Sequence, residues 1–185
     1  MPLREALAMS DVNELVNRAA QAKREGRYGD AKRDLTQAIA MFRSQPGGSD
    51  LAHALRLLGE VERKLHDAAA AREHYEEAVA QYRTADDALA LAHTIRHLGD
   101  VHHEAGRVDL AESCYFEGLE IYRSQPDAGT LDLANAIRSL AVLKSEKGDV
   151  QQARSLWEEA RELYTQVQIP EGVSECSRRL AQLAG

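Results

Sequence analysis

Residues 51–61 read LAHALRLLGEV, and residues 91–101 read LAHTIRHLGDV, with seven of eleven letters identical at an offset of 40. A third copy, LANAIRSLAVL at 133–143, follows at an offset of 42. A fixed period of this length builds stacked supersecondary units, each burying its apolar face on its neighbours, rather than one globular core. Such arrays commonly bind along an extended surface, so the repeat points to an interaction module before any single residue is considered.

Each copy divides into two stretches of helical periodicity. Leu51, Leu55, Leu58 and Leu65 recur at helical spacing with Val61 beside them, and after the polar segment KLHDAA a second stripe runs through Ala71, Tyr75, Ala78, Val79 and Tyr82. The next copy gives Leu91, Ile95, Leu98 and Val101, then Ala111, Tyr115, Leu119 and Tyr122; the one after gives Leu133, Ile137, Leu140 and Leu143, then Ala153, Trp157, Ala160 and Tyr164. An earlier, more degenerate copy opens with Val12, Leu15, Ala19 and Ala22 and closes with Ala31, Leu35, Ala38, Ile39 and Phe42. The spacing predicts an all-α chain of four helix–turn–helix units at about residues 8–45, 49–84, 87–125 and 129–168. A capping helix over 170–184 follows, with Val173, Cys176, Leu180 and Ala181 on its apolar face. Gly26, Gly106 and Gly148 stand where a left-handed residue ends a helix at low cost, and His66 takes that place in the second unit. The tetrapeptide RSQP at both 43–46 and 123–126 suggests that a two-unit block was duplicated.

Composition narrows the function. Aromatics make up only 5% of the chain, so Ala and Leu carry the apolar load, as suits close helix–helix packing. A formal net charge of −7 argues against a nucleic-acid partner, which requires a basic stripe. No stretch approaches the roughly 18 apolar residues of a membrane span, and the N-terminal residues lack the basic-then-apolar pattern of a signal peptide. Cys114 and Cys176 form no CxxC pair, so a reduced, cytoplasmic setting is expected.

These units resemble the tetratricopeptide repeat. The resemblance rests on the Leu–Gly steps Leu58–Gly59 and Leu98–Gly99, matched by Leu140–Ala141. It rests too on the small residues Ala31, Ala71, Ala111 and Ala153, each followed four positions later by a large one: Leu35, Tyr75, Tyr115 and Trp157. Small residues return at Ala38, Ala78, Gly118 and Ala160. The departures are Leu55, Ile95 and Ile137 in place of the opening Trp, and Glu62, His102 and Lys144 in place of the first-helix Tyr. The period of 40–42 is similar to that of the longer-repeat members, such as kinesin light chain and the Pins-type scaffolds. The resemblance implies a right-handed superhelix, an α-solenoid, whose opening helices line a concave peptide-binding groove.

On that register the groove-facing positions carry Asn13, Asn17, His53, Arg56, Glu60, Arg63, His93, Arg96, Asp100, His103, Asn135 and Arg138. Arg56, Arg96 and Arg138 occupy one equivalent site in three consecutive units, each three residues after a His or Asn. Guanidinium groups capture carboxylates in bidentate fashion, and Asn and His bond peptide backbone, so the expected ligand is an extended or partly helical acidic peptide of a partner protein. The competing expectation is that Arg56 and Arg96 simply pair with Glu60 and Asp100 one helical turn on. The Lys/Asn carboxylate clamp of chaperone-binding members is not matched, since only Asn17 falls at an Asn site, with Leu57, His97 and Ser139 at the others.

Two further readings stand beside this one. Exposed terminal helices would allow a self-associating structural module, a monomer or weak homo-oligomer. His93 and His97, spaced i, i+4, would allow a small-ligand or metal sensor. No HExxH motif accompanies them, and no Cys or carboxylate is clearly placed to complete a site, so no metal ligand and no cofactor is assigned from sequence. No Ser–His–Asp or Cys–His constellation stands out, and the chain reads as a non-enzyme.

Overall fold

The computed structural model describes residues 2–44 and 48–184, with side chains placed from residue 11 onward. Nine helices and no strand occur among the described residues: α1 Pro2–Arg24, α2 Tyr28–Phe42, α3 Ser49–Lys64, α4 Ala68–Ala85, α5 Ala88–Glu104, α6 Val108–Ser124, α7 Thr130–Glu146, α8 Val150–Gln166 and α9 Pro170–Gln182. The all-α expectation holds. Helix α1 begins at Pro2, ahead of residue 8. Gln45 and Pro46, half of the first RSQP, lie outside the described residues. None of the described helices is long and apolar enough to cross a membrane.

The chain forms two compact units, residues 1–90 and 91–185. In the first, α1 packs on α2, α2 on α3, and α3 on α4. Its core runs through Val12, Leu15, Ala19, Leu35, Phe42, Leu55, Leu58 and Val61. In the second, α6 packs on α7, α7 on α8, and α8 on α9. Tyr115, Leu119, Ile137, Leu140, Leu143, Trp157 and Cys176 are buried there.

The tightest contacts within helix pairs explain the Leu–Gly steps. A Cβ on Gly99 would lie 2.7 Å from Tyr115 Cε1, and one on Gly59 would lie 2.9 Å from Tyr75 Cε1, so each tyrosine ring rests directly on the backbone of its partner helix. In the fourth pair the step is Leu140–Ala141, and the Trp157 indole Nε1 donates to Ser145 Oγ at 3.0 Å.

The turns are equally regular. Gly26, Gly106 and Gly148 all have positive φ, near 71–76°, and His66 adopts φ 62° in the same place. Each closes a Schellman motif, as in Arg107 N–H to His102 O at 2.9 Å and Asp67 N–H to Glu62 O at 2.9 Å. The same motif ends α8, with Gln168 at φ 57° and Ile169 N–H bonded to Tyr164 O at 2.9 Å. Sequence reading did not find that turn, because no glycine marks it.

Two expected core residues are not core. Leu65 is 42% exposed because α3 ends at Lys64 and Leu65 is already in its C-cap. Ala181 is exposed in the last turn of α9, beyond the face that meets α8. Leu91, Leu133 and Val173 are half-buried rather than fully enclosed.

The positions that lack the family tyrosine are buried and charged or polar. Glu62 bonds His74 Nδ1 at 2.7 Å and Lys32 Nζ at 3.1 Å. Lys144 bonds Glu112 at 2.5 Å, and its ammonium lies 5.3 Å from the Phe116 ring centroid. In both cases the partner comes from the closing helix of the preceding pair, which satisfies a charge that could not otherwise be buried.

Candidate functional site

The opening helices α1, α3, α5 and α7 hold all twelve candidate residues. On α1, Asn13 and Asn17 are exposed. On α3, His53 is exposed and Arg56, Glu60 and Arg63 are half-buried. Arg56 Nη1 bonds Glu60, and Arg56 Nη2 lies 3.2 Å from His53 Nδ1. Lys23 of α1 reaches the other oxygen of Glu60. Desolvation, then the Arg56 charge, holds the His53 imidazole below its usual pKa, which favours the neutral ring.

On α5, three candidates and His97 form one connected group. Arg96 Nη1 lies 3.7 Å from Asp100 Oδ2, and Arg96 Nη2 lies 3.0 Å from His97 Nε2. His97 Nδ1 sits 3.3 Å from the same carboxylate oxygen, while Tyr115 of α6 donates its hydroxyl to Asp100 Oδ1 at 3.0 Å. The His93 and His97 rings meet edge to face, with their Nε2 atoms 3.1 Å apart. His103 bonds Glu146 of α7 at 2.5 Å.

On α7, Asn135 Oδ1 accepts from the Tyr164 hydroxyl at 2.8 Å, which turns the Asn135 amide so that its two N–H donors point away from that bond. Burial pushes the Tyr164 phenol up to about 12, so it stays a donor at neutral pH. Arg138 grips Glu175 of α9 through Nε at 2.7 Å and Nη2 at 2.9 Å, with its side chain 40% exposed. The same bond holds the Glu175 carboxyl below its ordinary range.

The three arginines thus each carry a carboxylate partner from the chain itself. In α3 and α5 the partner is the i+4 acid, as the competing expectation held. In α7, where Val142 stands at i+4, Glu175 supplies it from the capping helix α9. Glu175 was not legible in the sequence as a partner, since it lies 37 residues from Arg138. Lys23–Glu60, His103–Glu146 and Arg138–Glu175 share one pattern, a basic residue on one opening helix bonded to an acid two helices on. Partly exposed pairs of this kind are worth about 0.2–1 kcal/mol each.

Cys176 is fully buried and its thiol is pushed up by desolvation, and the Cβ of Cys114 lies against the backbone at Gly99. An open pocket of about 490 Å³ lies at the α8–α9 joint, lined by Tyr164, Ile169, Pro170 and Val173 among others.

Comparison with known proteins agrees with the repeat pattern. The family model described as "Tetratricopeptide repeat" matches residues 11–84, 50–124 and 87–166, so its overlapping matches run over most of the chain. No curated protein matches the sequence. Among solved structures, the crystal structure of BtubC (BKLC) from P. vanneervenii is similar in fold, with a TM-score of 0.78 at 18% sequence identity. That likeness covers 85% of this chain and 65% of the other, so this chain spans less than two thirds of its neighbour's length. With three family matches over helix pairs whose Leu–Gly steps and small–large contacts are seen in the packing, the chain belongs to the tetratricopeptide repeat family.

Proposed function

We propose that this protein binds an extended or partly helical, acidic segment of a partner protein through the outward-facing residues of its opening helices, and so serves as a scaffold, adaptor or regulator. Tetratricopeptide repeats are protein–protein interaction modules, which sets the general class. The finer reading is carried by the Asn135–Arg138 pair. Tyr164 fixes the Asn135 amide with its donors turned outward, and Arg138 keeps the Nη1 end of its guanidinium outside its bonds to Glu175. Three residues apart on α7, the two side chains share one face. They suit a peptide carbonyl and a carboxylate respectively. On this reading Asn13, Asn17, His53, Arg56, Glu60 and Arg63 serve in the first unit, and His93, Arg96, Asp100 and His103 join Asn135 and Arg138 in the second. Because the arginines already hold internal acids, a ligand carboxylate exchanges for them rather than meeting bare charge, and this favours moderate, salt-sensitive affinity.

The test is selection from a displayed random-peptide library against the native chain. A counter-selection uses a variant carrying Arg56→Gln, Arg96→Gln and Arg138→Gln, shown by circular dichroism to be folded. Binders enriched in Asp and Glu that lose at least tenfold in affinity on the variant are the expected result. Enrichment without acidic residues, or equal binding by both chains, would refute the proposal.

A further inference from the structure

The α5 group has an order that a peptide face does not require. Arg96 donates only, so its Nη2 3.0 Å from His97 Nε2 makes that nitrogen an acceptor with a lone pair. The ring proton of neutral His97 is then on Nδ1, which lies 3.3 Å from Asp100 Oδ2, within electrostatic reach but not aligned as a hydrogen bond. Asp100 is itself held from its other oxygen by the Tyr115 hydroxyl at 3.0 Å, and Tyr115 is 3% exposed. A buried phenol therefore orients a carboxylate, the carboxylate's charge lies beside an imidazole, and the imidazole presents Nε2 toward a second imidazole nitrogen 3.1 Å away. In metal-binding histidines the ring N–H away from the ion bonds a carboxylate, which fixes the tautomer and raises the basicity of the ligating nitrogen, and a small rotation of the His97 ring would bring Asp100 into that place.

We propose that His93 and His97 form a chelating site, through both Nε2 atoms, for a divalent transition-metal ion of the imidazole-preferring class, with Zn²⁺ as the reference ion. Two nitrogens 3.1 Å apart, each about 2.05 Å from an ion, subtend an angle of about 98°. That lies between octahedral and tetrahedral values, and a small rotation of either ring opens it further. Neutral imidazole suits zinc, nickel and copper, and does not suit magnesium or calcium. Solvent completes the coordination. Binding displaces the Arg96 N–H from the His97 lone pair, and the guanidinium stays beside Asp100, its partner at 3.7 Å. Arg96 is therefore an antagonist of the site, and its removal strengthens binding. The inference stands apart from the peptide reading and survives its failure.

The experiment titrates the tag-free full chain with Co²⁺, read by visible absorption, and with Zn²⁺ by competition. One equivalent per chain with nitrogen-ligand bands, displaced by Zn²⁺, is expected. His93→Gln and His97→Gln should each weaken binding at least tenfold with an unchanged circular dichroism spectrum. Asp100→Asn should weaken it about tenfold, the cost of a lost outer-shell carboxylate. Arg96→Gln should tighten it severalfold. On the native chain, Zn²⁺ should shift the Nε2 resonances of His93 and His97, a readout that needs no variant. The proposal is overturned if the shifts appear at other histidines, if both His variants retain the affinity, or if neither the native chain nor Arg96→Gln binds.

Discussion

Replacing Gly99 by Ala sets two effects of opposite sign against each other. On helix propensity alone, Gly to Ala in the interior of α5 stabilises by about 1 kcal/mol. Packing opposes it: the new Cβ would fall 2.7 Å from Tyr115 Cε1, 2.8 Å from Cδ1 and 3.1 Å from the Cys114 Cβ. Tyr115 is enclosed and its hydroxyl is tied to Asp100, so the ring cannot slide aside without breaking that bond. Overpacking of this kind costs about 1–3 kcal/mol, and the strained hydrogen bond adds about 1 kcal/mol. The net expectation is a loss of about 1–3 kcal/mol, or about 2–12 °C in melting temperature for a chain of this size. Urea unfolding of the native chain, Gly99→Ala, Tyr115→Leu and the double variant, followed by far-ultraviolet circular dichroism, measures it. The double variant should recover at least 1 kcal/mol relative to the sum of the singles, because a leucine no longer covers the Gly99 backbone. If Gly99→Ala alone is as stable as the native chain or more so, propensity has won and the described ring-on-backbone contact is wrong.

Other predictions follow from the same packing. Ala111→Leu places three extra carbons at a fully enclosed small-residue contact and should cost about 1–3 kcal/mol in a denaturant titration. Glu112→Gln leaves the nearly enclosed Lys144 ammonium without its carboxylate and should cost about 3 kcal/mol. Bonds from Lys144, then Lys147, hold the Glu112 carboxyl below its usual range. Its contribution is therefore present above about pH 4.5 and lost as the pH falls through its folded value, so the Gln variant should show a flatter acid-unfolding limb. His74 runs the other way. Its bond to Glu62 raises its pKa, so its stabilisation is complete below about pH 6.5 and fades as the pH rises through the folded value. The stability gap between the native chain and His74→Asn should therefore narrow on going to alkaline pH.

Much of the helical plan was legible because close packing leaves a period in the sequence. Ala71, Tyr75 and Tyr82 are buried where the stripe placed them, and the glycines at 26, 106 and 148 adopt the left-handed turn that their positions implied. The failures occur where no period exists. Leu65 continues the apolar stripe on paper, yet the helix ends one residue earlier, and nothing in the residue type records that. The turn at Gln168 carries no glycine, so its signal was missing. At the candidate site, the i, i+4 pairs Arg56–Glu60 and Arg96–Asp100 were open to sequence reading because they lie on one helix. Arg138–Glu175, Asn135–Tyr164 and Asp100–Tyr115 were not, since each joins different helices and depends on rotamers. The two-histidine spacing was visible, whereas the tautomer that gives it chemical meaning required Arg96 and Asp100 in place.

The ion pairs between successive helix pairs reverse their polarity along the chain. Lys32 faces Glu62 in the first unit, whereas Glu112 faces Lys144 in the second, at equivalent positions. The repeats are consequently not interchangeable bricks. Grafting the α3–α4 pair behind α6 would set Glu62 against Glu112, and grafting α7–α8 behind α2 would set Lys144 against Lys32. Each misordering encloses like charges, at a cost of several kcal/mol. A chain whose neighbours read like copies thus carries an address on each copy, and its order is written in the sign of a few enclosed charges.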